Sequence, residues 1–464
     1  MRKYIIIGAI LLLITIPVVA AFFLRKQIIT PDPVTLNYWI IEGSKKDYEE
    51  IISVYRATQP YVTVNFRELK LEEYDNRLIQ AWARDQGPDI FELPSTWIRK
   101  YQEFIAPMPA SVTTYYHETK KAFLQETVQI RPITTNLPGP EEVKSRYIDI
   151  VYNNIVLKDS AGRSQVWGLP YSIDTLALFY NKDILNNAFI VEPAQTWNDL
   201  VRQSSKLTLL DNQNNILQSA IALGLSSNIK HYYEILSLLM LQNGATMISA
   251  DGKKITFNAS TETESFGGRA LEFYSTFADF DKETYSWNPA QPESRDSFSG
   301  GKSAYYLGTL ADKKEIDKAP GLNYNLAPML HINSDGTDRV LNVAGNPIQI
   351  NFGQFTIHTV AKKSAAPQEA WDLVQYIAQE KMNRRYVGQT GRISPLRNVL
   401  KSQATSPELE IWANQALTAK NWYTGRDEEA VKKYFAEMID AVALENQSVS
   451  QVLKISAEKI EATL

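Results

Sequence analysis

Residues 87–108 read GPDIFELPSTWIRKYQEFIAPM. Gly87 and Pro88 stop whatever precedes them, and PDIFEL (88–93) is a short apolar strand. After Pro94, Ser95 or Thr96 is placed to cap a helix running through TWIRKYQEF. This is a strand delivering its carboxyl end to a helix start, where backbone N–H groups stand free. Working outward, VTLNYWII (34–41) is a β-branched and aromatic strand, and Ser44-Lys45-Lys46-Asp47 is a capping-box-like start. The helix YEEIISVYRATQP that follows stops at Pro60, VTVNFREL (62–69) is a second strand, and EEYDNRLIQAWARDQG is a helix ended by Gly87. A β-α-β-α-β order implies a parallel sheet with crossover helices. Ligands in such sheets bind beyond the carboxyl ends of the strands, here Trp39 to Ser44 and Leu93 to Trp97.

The chain has 464 residues, 44% hydrophobic and 22% charged, which is more than one core usually supports, so two domains are expected. A net charge of -4 gives no basic footprint for nucleic acid. With no cysteine there is no disulfide, thiolate metal site, cysteine nucleophile or acylated lipoprotein anchor. His117, His231, His331 and His358 are scattered and form no metal motif; a carboxylate-only site for a hard cation such as calcium stays open, but no EF-hand spacing is present and no cofactor is expected. The start, MRKYIIIGAILLLITIPVVAAFFLRKQ, holds 21 uncharged residues from Tyr4 to Leu24, enough to span a bilayer. Residues 1–29 are read as a signal anchor, or as a signal peptide cut after Val18-Val19-Ala20. Either reading exports the rest of the chain, with TPDP (30–33) as a stiff linker.

From Ser111 to Leu157 a tyrosine-rich stretch reads as a peripheral helical insertion. TLALFY (175–180) is an apolar strand that Asn181-Lys182-Asp183 breaks to start a helix, and a second domain begins here. Further helices are expected at 196–208, 231–244 and 267–280, and strands at 323–330 and 354–363. Gly300-Gly301-Lys302-Ser303 imitates the tail of a phosphate-binding P-loop. However, Asp296 stands where the pattern needs glycine, and WNPAQPESRD before it is no buried strand. A turn leading into the strand SAYYLG explains the glycines instead.

Taken in order, these segments resemble the extracellular solute-binding proteins of ABC importers, in the sugar-binding branch that includes maltose-binding protein. The likeness runs from about Val34 to Leu464. It rests on residues 87–108, on VWGLPYSIDTLALFYNKDIL (166–185), on AQTWNDLV (194–201) and on FSGGKSAYYLG (298–308). The segment FTIHTVAKKSAAPQEAWDLVQYI (355–377), then GRISPLRNVL (391–400), and the closing SVSQVLKISAEKI (448–460) complete it. The resemblance implies an α/β, two-lobed periplasmic-binding-protein-like fold with a ligand cleft between lobes. The lobes would be 34–172 with 350–405 and 173–345 with 406–464. It also implies capture of a small solute, a mono- or oligosaccharide, and delivery to ABC permease subunits, with ATP hydrolysed by a separate subunit inside the cell. The usual acylated cysteine is missing, so the N-terminal helix would attach the protein to the membrane.

A sugar offers hydroxyls and faintly apolar C–H faces, so its site wants aromatic platforms and bidentate acceptors. Trp39 ends the first strand, and Trp287 lies in the irregular loop YSWNPAQP. By the resemblance, Ser95, Thr96 and Trp97 form a ligand loop and Asp174 is a hinge carboxylate. Tyr232 and Tyr233 open a helix that faces the cleft. Gly308 with Thr309, and Gly345 with Asn346 in VAGNPIQ, bring the chain to it. Trp422 and Tyr423 are second-lobe platforms, while Arg392 is read as structural. Two other readings stay open: a receptor for a polyamine, phosphodiester or peptide, and a glycoside hydrolase. The hydrolase would need a partner carboxylate for Asp174, with Glu42 or Glu92 as the candidates.

Overall fold

The computed structural model describes residues 31–122, 125–260, 265–332 and 349–464. Residues 1–29, Gly345 and Asn346 lie outside these ranges. Among the described residues no helix is long and apolar enough to cross a membrane.

Strand Val34–Ile40 pairs in parallel with Val62–Glu68 on one side and with Ile90–Pro94 on the other. Helices Lys46–Thr58 and Leu71–Ala83 make the crossovers, as the alternating order predicts. Thr356–Ala361 joins antiparallel to Ile90–Pro94, and Ile105–Ala106 closes the edge. Strands Ile90–Pro94 and Thr356–Ala361 are buried almost throughout, polar Glu92, His358 and Thr359 included. The core beneath them is aromatic, with Tyr38, Tyr48, Tyr171 and Tyr386 packed around His358.

A second five-stranded sheet has the order Leu209–Leu210, Ile216–Ile221, Ser303–Gly308, Ala177–Asn181, Tyr324–Ala327. Asn181 ends its strand as expected, its side chain accepting the N–H groups of Asp183 and Ile184 at 3.0 and 3.1 Å. Gly300-Gly301-Lys302 follows helix Ser294–Ser299 and precedes a strand, the reverse of a P-loop's strand-to-helix order. Gly301 turns the chain at φ +69°, which a side chain would resist, and Lys302 faces solvent. Between the sheets, Asp174–Thr175, Asn351–Gln354 and Ala419–Lys420 form a small third sheet. Asn351 Nδ2 and Gln415 Nε2 both donate to the carbonyl of Leu176, tying these connections together.

The stretch after Ser111 departs from the helical reading. Ser111–Ala122 and Gln125–Asn136 form an antiparallel hairpin, and only then do the short helices Pro140–Arg146 and Asp149–Ile155 follow. Val112 and Thr114 point inward and Ser111 and Thr113 outward, a period of two that a helix cannot satisfy. The hairpin is fixed by Tyr115 N–H to Tyr61 Oη (3.1 Å) and Thr113 N–H to Gln368 (2.6 Å). Tyr61 precedes the strand Val62–Glu68, so the hairpin packs at the end of the sheet away from the strands' carboxyl ends.

Candidate functional site

The carboxyl ends of Val34–Ile40 and Ile90–Pro94 face the second sheet across a cavity of about 600 Å³. One wall comes from Ile41–Gly43, Pro94–Trp97 and Arg392. The other comes from Lys230–His231, Tyr233, Thr309–Ala311 and the segment around Glu428. Residues of the connecting strands, Asp174 and Phe352–Thr356, form the floor. The volume is that of a small-molecule site.

On the first wall, Gly43 takes φ +81°, and a Cβ there would meet the Asp47 carboxylate at 2.3 Å. That conformation turns Glu42 toward Arg392, whose guanidinium donates to its carboxylate at 2.5 Å and to Ser172 Oγ at 3.4 Å. Burial works against the charge on Arg392, but Glu42 beside it more than compensates and drives its pKa up. Ser95 and Thr96 do not cap a helix. They open a single 3-10 turn with no side-chain cap, and Ser95 N–H goes to Phe355 O at 3.0 Å. Thr96 instead reaches across the cavity, donating from Oγ1 to Glu428 Oε2 at 2.8 Å. Trp97 lines the cavity with the Lys100 ammonium 5.0 Å above its ring.

On the second wall, Asp312 is buried beneath the cavity surface. His231 Nε2 lies 2.6 Å from its Oδ2, Lys230 pairs with its Oδ1, and Arg295 is 3.7 Å away. Burial alone would raise the Asp312 pKa, but the His231 hydrogen bond and charge hold it far below the carboxylate range. Burial opposes protonation of His231, but the bond to Asp312 lifts it above the usual imidazole value. Asp312 also accepts Thr309 N–H at 3.0 Å, completing a capping box for Leu310–Ile316. Glu428 is pushed up by burial, and Lys432 Nζ stands 3.6 Å from it as partial compensation. Asp174 is pushed up to about 6 by burial, although its Oδ1 accepts the N–H groups of Thr175 (3.0 Å) and Leu310 (3.1 Å).

Of the residues expected at the site, Ser95, Thr96, Trp97, Asp174, Tyr233, Thr309 and Tyr423 line the cavity. The other described candidates do not. Trp39 is 5% exposed, set edge-on to Tyr74 and covered by the Arg67 guanidinium at 4.6 Å. Trp287 is fully buried, its indole N–H donating to Asn228 Oδ1 at 2.8 Å. Trp422 stacks on Phe435 inside the second core and donates to Ser237 Oγ at 3.1 Å. Tyr232 donates to the Lys432 carbonyl at 3.1 Å and lies off the wall. Gly308 is the buried last residue of its strand, and a Cβ there would strike the Tyr306 ring at 2.2 Å. Gly345 and Asn346 lie outside the described residues. Arg392, read as structural, is on the wall. Lys230, His231, Lys314, Glu428 and Lys432 were missed, and Glu42 was considered only as a hydrolase's second carboxylate. Only Glu42 carried a signal, at the strand end where ligands sit. Among the described residues no group of three or more His, Asp or Glu could hold a metal ion.

Two α/β lobes with a polar, aromatic-lined cavity between them define a solute-binding protein. The chain belongs to the bacterial extracellular solute-binding protein family, whose profile matches residues 47–419. Its fold is similar to that of the cyclic α-maltosyl-1,6-maltose binding protein of Arthrobacter globiformis. The TM-score is 0.70 at 15% identity, over 93% of this chain and 99% of that one. It is also similar to a solute-binding protein of Thermotoga lettingae bound with α-D-tagatose (TM-score 0.65, 18% identity, 92% and 99% covered). The maltose-binding periplasmic protein of Listeria monocytogenes in complex with maltose is a third such structure (TM-score 0.67, 16% identity, 93% and 98% covered). Curated binding proteins of Brucella abortus and Brucella suis are 21% identical over 168 residues, which is 36% of this chain. The match spans 33% of their length.

Proposed function

We propose that the protein captures a carbohydrate in the inter-lobe cavity and delivers it to the permease subunits of an ABC transporter outside the cytoplasm. The observation that carries this reading is the composition of the wall. Trp97, Tyr233, Phe352 and Tyr423 stand in its lining, each no more than 5% exposed, together with the planar groups of Asp174, Glu42 and Arg392. Stacking plus bidentate hydrogen bonding is how a polyhydroxylated ring is held. The saccharides named in several structures of the same fold point the same way.

A solute receptor also fits better than a hydrolase. Asp174 Oδ1 accepts two backbone N–H groups and Glu42 is paired with Arg392, an arrangement that suits fixed acceptors for a ligand better than the acid and nucleophile pair of a hydrolase. We take the lobes as 34–172 with 350–405 and 173–345 with 406–464. The two sheets support this division, while Trp412, on the second-lobe side of the 405/406 boundary, packs into the first core. Residues 1–29 are taken to anchor the protein in the membrane, or to be removed on export.

A thermal-shift screen against maltose, maltotriose, tagatose, putrescine and a tripeptide tests the ligand class. A ligand at 100 times its Kd stabilises by about 2.7 kcal/mol. Stabilisation by a saccharide is the expected result. Stabilisation by putrescine or the peptide alone overturns the carbohydrate reading.

A further inference from the structure

Glu92 touches nothing in the cavity, yet it sits directly behind the wall. It is fully buried in the central strand Ile90–Pro94, 1% exposed. Its Oε2 accepts two consecutive backbone N–H groups, those of Ile41 and Glu42, each at 2.7 Å. Its Oε1 meets Tyr48 Oη at 2.9 Å. Those two N–H groups belong to the loop that leaves the first strand and carries Glu42 to Arg392. Placing an ionisable side chain in the middle of a buried strand is costly unless its bonds return the energy. Here three partners surround it, and two of them are the peptide groups that decide where Glu42 points.

We infer that Glu92 is a positioning residue for the cavity, its buried carboxyl group holding loop Ile41–Gly43 so that the Glu42 carboxylate meets Arg392 on the wall. A side chain without acceptors at this position leaves both N–H groups buried and unpaired, and the loop moves to find water. The Glu42–Arg392 pair is then lost from a wall that both residues line. Glutamine keeps an oxygen for the two N–H groups, so it preserves the loop. Burial, followed by the charge of Glu42, pushes Glu92 up to about 8, so a neutral amide is a close replacement near neutral pH.

The test uses the full-length protein as wild type, Glu92→Gln and Glu92→Met, followed by hydrogen exchange without ligand and by titration with maltotriose. The loop 40–44 exchanges at least about tenfold faster in Glu92→Met, while strand 216–221 in the other lobe keeps its protection. Glu92→Gln restores the loop. Maltotriose affinity falls about tenfold in Glu92→Met and less than about threefold in Glu92→Gln. Unchanged loop protection in Glu92→Met, failure of Glu92→Gln to restore it, or a freed loop with undiminished affinity overturns the inference. The affinity arm rests on the carbohydrate reading. If the wild type ignores every saccharide, that reading fails, and the exchange arm alone still decides whether Glu92 holds the loop.

Discussion

The bond from Thr96 to Glu428 joins residues 332 positions apart across the cavity, with a hydroxyl–carboxylate distance of 2.8 Å. Lys314 Nζ to Thr390 O, also 2.8 Å, is a second contact between the lobes. Neither bond survives if the lobes swing apart, so each favours the closed arrangement before any ligand arrives. Thr96→Val removes the hydroxyl and keeps the shape. The bond is valued at about 1 kcal/mol net, the central value for a protein hydrogen bond. At 25 °C that is about a fivefold fall in the ratio of closed to open molecules. The chain contains no cysteine, so a pair introduced at the exposed positions Asn76 and Lys433 carries spin labels cleanly. Distance distributions from electron–electron double resonance, without ligand, then read the two populations. Thr96→Val shifts weight to the longer distance by about that factor, and Thr96→Ser, which keeps a donor, shifts it less. An unchanged distribution in Thr96→Val would show that this bond carries no closing energy.

Two further outcomes follow from the same geometry. Trp287 fills the second core and its N–H is satisfied, so Trp287→Ala costs about 3–5 kcal/mol in urea denaturation. Its affinity for the ligand stays that of the wild type, and a large affinity loss with intact stability would return Trp287 to the site. The Asp312–His231 pair makes stability depend on pH in a defined sense. Asp312 is depressed, so its contribution is present above the unfolded value near 4 and is lost in acid. His231 is raised, so its contribution is full below about 6.5 and fades as pH rises through its folded value. The stability gap between wild type and Asp312→Asn is therefore widest between about pH 4 and 6.5 and narrows toward pH 9. A gap that stays constant over that range refutes the assignment of charge to His231.

The cavity's place was legible because it depends on strand polarity, and polarity depends on local order. Val34–Ile40, Val62–Glu68 and Ile90–Pro94 alternate with helices, which forces a parallel sheet and sends Ile41–Gly43 and Ser95–Trp97 to the same edge. The hairpin after Ser111 was also legible in principle. SVTTYYHET is rich in β-branched and aromatic residues, a strand composition that the helical reading passed over. The aromatic candidates failed for a different reason. Trp39 shares a strand face with exposed Thr35 and Asn37, but at the strand's end its ring is taken up by Tyr74 and by Arg67 on the neighbouring strand. Trp287 and Trp422 likewise spend their N–H groups on Asn228 and Ser237 inside the second core. A large ring at a strand end or in a loop is as well used by a core as by a ligand, and residue type alone does not separate the two. The charged half of the wall lies further from sequence reach. Glu428 opens an ordinary amphipathic helix, and its meaning depends on Thr96 far away in the chain. Glu92 is the sharpest case. It was weighed as a catalytic partner for Asp174 because it is an acid near a strand end. Its carboxyl group instead faces inward to two peptide N–H groups, so it shapes the wall from behind.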